Sequence, residues 1–289
     1  MKSIFCVILV FTSLFFSQSV VSQEKANRVF DLLPEWSFPK GIEGPAIDKY
    51  GNLFAVNFKE PGTIGIVTPN GEASVYVTLP AGSVGNGIRF DKKGFMYIAD
   101  YTKHNILRVN PSTKEISVFA HNSSMNQPND IAISPKTEFL YASDPNWKDS
   151  TGNLWLIKRN GKTSLLEGKI GTTNGVEVSP DGKRLYVNES VQRNVWVYDI
   201  KKDGTLKNKK LFLTFPDFGM DGMRCDSAGN LYITRHGKGT ILKVSPRGIV
   251  LMEVQLKGKL CSNIVLSNDE KKAYITMADR GCFEVIKLD

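Results

Sequence analysis

The 289-residue chain predicts an all-β fold, a six-bladed β-propeller. Three observations carry this. A single phrase recurs six times, led by Glu43, Asn86, Asn129, Asn174, Asp221 and Ser262 at intervals of 43, 43, 45, 47 and 41 residues, the length of one four-stranded blade. Within each phrase apolar and polar residues alternate with period two, which builds strands and not helices. The last copy ends one strand short, and a spare strand precedes the first.

In chain order, residues 1–22 read as a cleaved signal peptide. Lys2 is followed by an apolar run of 13 residues over 4–16, and Val20-Val21-Ser22 places small residues before the expected cut. The run is short for a bilayer span; an uncleaved anchor is the competing reading. The mature chain, 23–289, is then expected to be a single domain, periplasmic or secreted, without membrane attachment. Residues 28–33 (RVFDLL) supply the spare strand, which is predicted to pair with 283–288 and remove an exposed sheet edge. Each repeat then gives an inner strand behind its leading residue, a turn, and a second strand (LFAV, MYIA, LYAS, LYVN, LYIT or AYIT). Third strands follow, as at 106–109, 154–157, 195–198 and 241–244. Outer strands fall at 73–79, 115–120, 164–167, 210–215 and 250–256.

The formal net charge of +8 is dispersed over turn lysines such as Lys92-Lys93, Lys201-Lys202 and Lys271-Lys272. Nucleic-acid binding needs a concentrated basic face with stacking aromatics, so no nucleic-acid partner is expected. Cys225, Cys261 and Cys282 remain after cleavage. Cys225 is read as a small buried apolar residue. Cys261 and Cys282 fall at the same end of the last blade, and whether they form a disulfide is open. Asn122-Ser-Ser and Asn188-Glu-Ser match glycosylation sequons, a frequent pattern.

Circular closure brings the six leading residues to one tunnel mouth. Carboxylate and carboxamide oxygens are the ligands of hard divalent cations. Glu43, Asn129, Asn174 and Asp221 form the candidate metal set, with Asn86 as a fifth oxygen or a water holder and Ser262 a weaker candidate. Asn and Asp also begin strands by bonding their own backbone. That explains one such residue more readily than four in phase with Glu43 in a fifth repeat. Ca²⁺ is the expected ion, with Mg²⁺, Mn²⁺ and Zn²⁺ as alternatives.

The second strands return to this mouth and end at Asn57, Asp100, Asp144, Glu189, Arg235 and Met277, followed by Phe58, Tyr101, Pro145, Ser190 and His236. Asn86, Gln127, Tyr101, Asp144 and Glu189 are the candidate substrate pocket; the competing reading is solvated or paired strand ends. Asp221 and His236 are the candidate catalytic groups, Asp221 as general base, nucleophile or ligand only. A structural hydrogen bond is the other reading of His236.

Glu43-Gly44-Pro45, Pro128-Asn129-Asp130, Thr173-Asn174-Gly175 with Ser179-Pro180-Asp181-Gly182, and Asp221-Gly222-Met223 together resemble the SMP-30/gluconolactonase family over nearly all of the mature chain. Asp144-Pro145 adds to the likeness. The resemblance implies a calcium-dependent propeller that hydrolyses lactones, related in architecture to diisopropyl fluorophosphatase and paraoxonases, with Glu43, Asn129, Asn174 and Asp221 at the metal-ligand positions. Two positions depart. Where several sugar-lactone members carry arginine, this chain has Gln127, which puts aldonolactones in doubt as substrates. Where paraoxonase-like chains carry a carboxamide after the blade-five aspartate, it has Gly222. The function expected is calcium-dependent hydrolysis of a lactone or related ester. The alternatives are a noncatalytic binding propeller of the NHL type and a strictosidine-synthase-like enzyme. No G-x-S-x-G elbow, H-E-x-x-H or P-loop occurs.

Overall fold

Twenty-four strands form six four-stranded antiparallel sheets in the structure, a computed structural model that describes residues 28–288. The expected signal peptide lies outside the described residues. Strand β1 (Val29–Asp31) stands apart from its sequence neighbours. Blade one is β2 (Ala46–Ile47), β3 (Leu53–Val56), β4 (Thr63–Val67) and β5 (Ala73–Thr78); blade two is β6 (Gly85–Phe90), β7 (Met96–Asp100), β8 (Asn105–Val109) and β9 (Ile116–His121). Blade three is β10 (Ile131–Ile133), β11 (Leu140–Asn146), β12 (Thr151–Ile157) and β13 (Thr163–Ile170); blade four is β14 (Thr173–Val178), β15 (Arg184–Glu189), β16 (Asn194–Ile200) and β17 (Leu206–Thr214). Blade five is β18 (Met223–Cys225), β19 (Leu231–Arg235), β20 (Thr240–Val244) and β21 (Val250–Gln255). Blade six joins β22 (Cys261–Leu266), β23 (Lys272–Met277) and β24 (Cys282–Lys287) to β1, so the predicted closure is borne out.

Apolar burial falls between blades and not at the axis. One aromatic per second strand marks each seam: Phe54 packs with Ile88 and Ile98 of blade two, Tyr141 with Val176 and Val187 of blade four, and Tyr186 with Met223 and Ile233 of blade five. The closing seam buries Phe38 against Phe58 and Phe283 in edge-to-face contacts at centroid separations of 4.9 and 5.5 Å. With the apolar residues used between blades, the axis is free for polar groups. The five outer strands β5, β9, β13, β17 and β21 each carry a register shift against their neighbour. Such bulges twist an edge away from further pairing.

The latch has its own electrostatic clamp. Arg280 binds Asp31 (2.7 and 3.0 Å), Glu35 (2.5 Å) and the buried Glu284 (2.6 Å). Hydrogen bonding from Arg280, assisted by Lys257 and opposed by burial, holds the Asp31 carboxyl below its ordinary value of 3.8. A carboxylate depressed in the folded state contributes stability above that value and loses it as pH falls through the folded one. Amide exchange at β1 is therefore expected to speed up as pH drops below about 4, after correction for intrinsic exchange, before the inner strands open.

Cys261 and Cys282 do not form a disulfide; all three described cysteines are free. Both pair in register with Met277, on opposite sides of β23. Two strand spacings of about 4.8 Å separate them, beyond the roughly 7 Å that a bridge spans. The sequon residue Asn188 is fully buried, so it is no sugar acceptor in the folded chain.

Candidate metal centre

The leading residue is the second residue of the inner strand in blades two, four and six, and lies two or three residues before that strand in blades one, three and five. Gly87 donates its N–H to the Asn129 carbonyl (2.8 Å) and Gly222 to the Ser262 carbonyl (2.7 Å), stitching neighbouring blades backbone to backbone. In blades three and six the position after the leading residue holds Asp130 and Asn263, both buried. Gly222 is required by its neighbour: a Cβ there would overlap the Asn263 carboxamide. The space left by the absent blade-five carboxamide is thus filled from blade six. Gly222→Ala is expected to cost about 1–3 kcal/mol by overpacking, seen as a lower midpoint in denaturant.

The ring is acidic and poorly neutralised. Burial pushes the Glu43 carboxyl up to about 8; Asp130 adds to the rise, while the Gly44 N–H, the Asn263 amide and Arg89 pull it back. Asp221 is raised well above the carboxylate range, by burial first and then by the charge of Glu43. Both side chains keep a partly exposed surface, as groups facing a narrow opening would. Asn174 and Asn129 are buried beside them. The Oδ1 atoms of Asn174 and Asn86 are buried without any hydrogen-bond partner. An unpaired buried carbonyl costs about 1–3 kcal/mol, and two ionised carboxylates sharing a desolvated site repel. A divalent cation resolves both conditions, and a set made only of oxygens suits a hard ion. The residues present fit such an ion. Ser262 does not join them, because its hydroxyl is bound to the Ile42 carbonyl (2.9 Å) and Thr276 Oγ1 (2.8 Å).

Beneath the ring four charged side chains fill the axis. Arg89 lies 3.4 Å from Asp130 and 3.4 Å from Glu177, and Arg224 3.5 Å from the same Glu177 oxygen. Arg224 also donates to the carbonyls of Ile264 and Pro45, each at 3.2 Å, tying blade five to blades six and one. A cavity of about 350 Å³ opens on the far side, where Arg89 and Arg224 form part of its lining with Phe90, Cys225 and Glu270. The plug separates that cavity from the ring. None of it was anticipated, although charged residues at one offset in blades two, four and five were a readable signal.

The second-strand ends are hydrogen-bonded to nearby loops. Asn57 donates to the Gly41 carbonyl (2.9 Å), Asp100 accepts from Ser83 (2.8 Å), and Glu189 accepts from the Gly171 N–H (2.9 Å). Asp144 accepts from the Asn126 and Gln127 N–H groups (2.7 and 2.6 Å), and its other oxygen from Asn153 and Trp155. Arg235 donates to the Asp217 carbonyl (2.6 Å). Each staples the loop that enters its own inner strand, two to four residues before the leading residue. Asp144 and Glu189, placed in the candidate pocket by the sequence, are buried and hold these loops. Gln127 and Tyr101 stay half-buried near the mouth. His236 is half-buried; burial lowers its imidazole pKa, and the charge of Asp279 opposes this.

The six-bladed propeller sets the fold class, and residues 41–279 match the model of the SMP-30/Gluconolactonase/LRE-like region. The chain belongs to that family. Among curated relatives, a gluconolactonase of Zymomonas mobilis is 28% identical over 238 residues, which cover 70% of this chain and 65% of the relative, just under two thirds of that protein's length. The Staphylococcus aureus protein lactonase drp35 is 23% identical over 229 residues, 60% of this chain and 70% of its own length. Two solved structures share the fold. A calcium-binding regucalcin from Agrobacterium tumefaciens superposes with a TM-score of 0.76 at 20% identity, covering 90% of this chain and 92% of its own. A gluconolactonase from Xanthomonas campestris gives 0.78 at 18% identity, covering 91% and 90%.

Proposed function

We propose that this protein is an exported, calcium-dependent hydrolase of lactones or related esters. One observation carries the reading: the half-buried carboxylates Glu43 and Asp221 stand beside Asn174 and Asn86 oxygens that are buried without a hydrogen-bond partner. Family membership and the names of the relatives, gluconolactonase and lactonase, support the substrate class.

Glu43, Asn129, Asn174 and Asp221 would hold the ion, with Asn86 at the margin. A bound Ca²⁺ supplies Lewis-acid polarisation of the lactone carbonyl. Asp221 Oδ takes the proton of the attacking water as that oxygen bonds to the carbonyl carbon. The ring C–O bond then breaks, and the same proton passes to the departing alkoxide, leaving a hydroxy acid. His236, at the mouth, is assigned a relay of protons to solvent. Gln127 offers an uncharged amide at the mouth where sugar-lactone members carry a cation, which favours less hydroxylated lactones.

The test is initial rates on aldonolactones and on aliphatic lactones in calcium, followed by acid release. Faster turnover of aliphatic lactones supports this reading. Turnover of neither class by folded, calcium-loaded protein overturns it in favour of a binding propeller.

A further inference from the structure

We infer that Ser190 is a positioning residue of the metal centre: it fixes the Asn174 carboxamide so that its oxygen is the free atom. The inference rests on the metal reading above. Ser190 follows β15, and its hydroxyl bridges two blades. Its Oγ donates to the carbonyl of Met220, beside Asp221, and accepts from Asn174 Nδ2 at 3.1 Å.

Donor counting makes the arrangement one-way. A serine hydroxyl has a single hydrogen, and here Met220 receives it. Ser190 can therefore meet Asn174 only as an acceptor, which requires the amide nitrogen and not the oxygen to face it. Asn174 Oδ1 is what remains, buried and without a partner. Were the carboxamide turned over, two oxygens would face each other at Ser190, and the nitrogen would replace the oxygen as the free atom. An amide nitrogen carries no lone pair for a hard cation.

The neighbouring residues hold the same seam. Asn188 Nδ2 donates to the Asp221 carbonyl at 2.5 Å. A Cβ at Gly175 would overlap that carbonyl and lie 2.6 Å from the Asn188 amide. The segment that reads as a sequon, Asn188-Glu189-Ser190, is thus the frame between Asn174 and Asp221. Glu189 ties down Gly171, at the entrance to the same strand.

A simple seam role for Ser190 makes different predictions from a positioning role. The experiment is calcium titration by calorimetry on the full mature chain, in wild type, Ser190→Ala, Asn174→Asp and the double variant. Ser190→Ala is expected to weaken calcium binding about 10- to 100-fold. In the Asn174→Asp background either end of the side chain presents oxygen, so Ser190→Ala is expected to change affinity by less than about twofold there, the coupling of a double-mutant cycle. If alanine prevents folding, Ser190→Cys, a weak donor of similar size, takes its place. An equal loss in both backgrounds, or no loss in either, overturns the inference while leaving the metal reading intact. A wild type that takes up no calcium overturns both.

Discussion

Asp221→Ala is expected to lower kcat/KM on a lactone by about 10³-fold, some 4 kcal/mol of transition-state stabilisation. It removes a proposed ligand and base together, and it leaves Glu43 alone among carboxamides. Asp221→Asn separates these roles, since it keeps an oxygen in place but removes the charge and the proton acceptor. Retained calcium uptake with lost turnover in Asp221→Asn would assign the residue to proton transfer. Loss of both would make it chiefly a ligand. Steady-state kinetics beside calcium titration reads the difference.

Arg280→Ala is expected to be the most destabilising surface-proximal change, by about 3–5 kcal/mol. The guanidinium serves three carboxylates at once: Asp31 on the closing strand, Glu35 beyond it and the fully buried Glu284. Without it Glu284 keeps only the N–H groups of Lys257 and Gly258, each at 2.8 Å. A buried charge is then left without its counterion. The midpoint of denaturation should fall sharply, and β1 should exchange its amides first. Arg280→Lys should recover part of the loss, because a single ammonium lacks the planar fork that reaches several oxygens. An unchanged midpoint in Arg280→Ala would show that apolar packing around Phe38 closes the ring unaided.

Much of this architecture was legible because a propeller repeats itself. The six leading residues announced the blades, and the short last repeat with its spare RVFDLL segment announced the closure. Strand-end polar residues were harder. Asp144 looks the same in sequence whether it faces a substrate or caps the N–H groups of Asn126 and Gln127. Only the path of the incoming loop decides between them. Asn263 reaches into the space beside Gly222, a contact between blades that no single repeat encodes. The Cys261–Cys282 question turned on strand order: the two residues share an end of the blade but have Met277 between them. The charged plug of Arg89, Asp130, Glu177 and Arg224 was hidden because an alternating strand shows which of its residues are polar but not that those of different blades meet one another.

The central claim is that the axial ring holds a divalent cation needed for ester cleavage. The most direct measurement is hydrolysis of a responsive lactone by chelator-treated protein, before and after stoichiometric calcium. The account predicts negligible turnover without calcium and recovery on its addition, with Glu43→Gln failing to recover. Full turnover in chelator, with no calcium taken up, would contradict it.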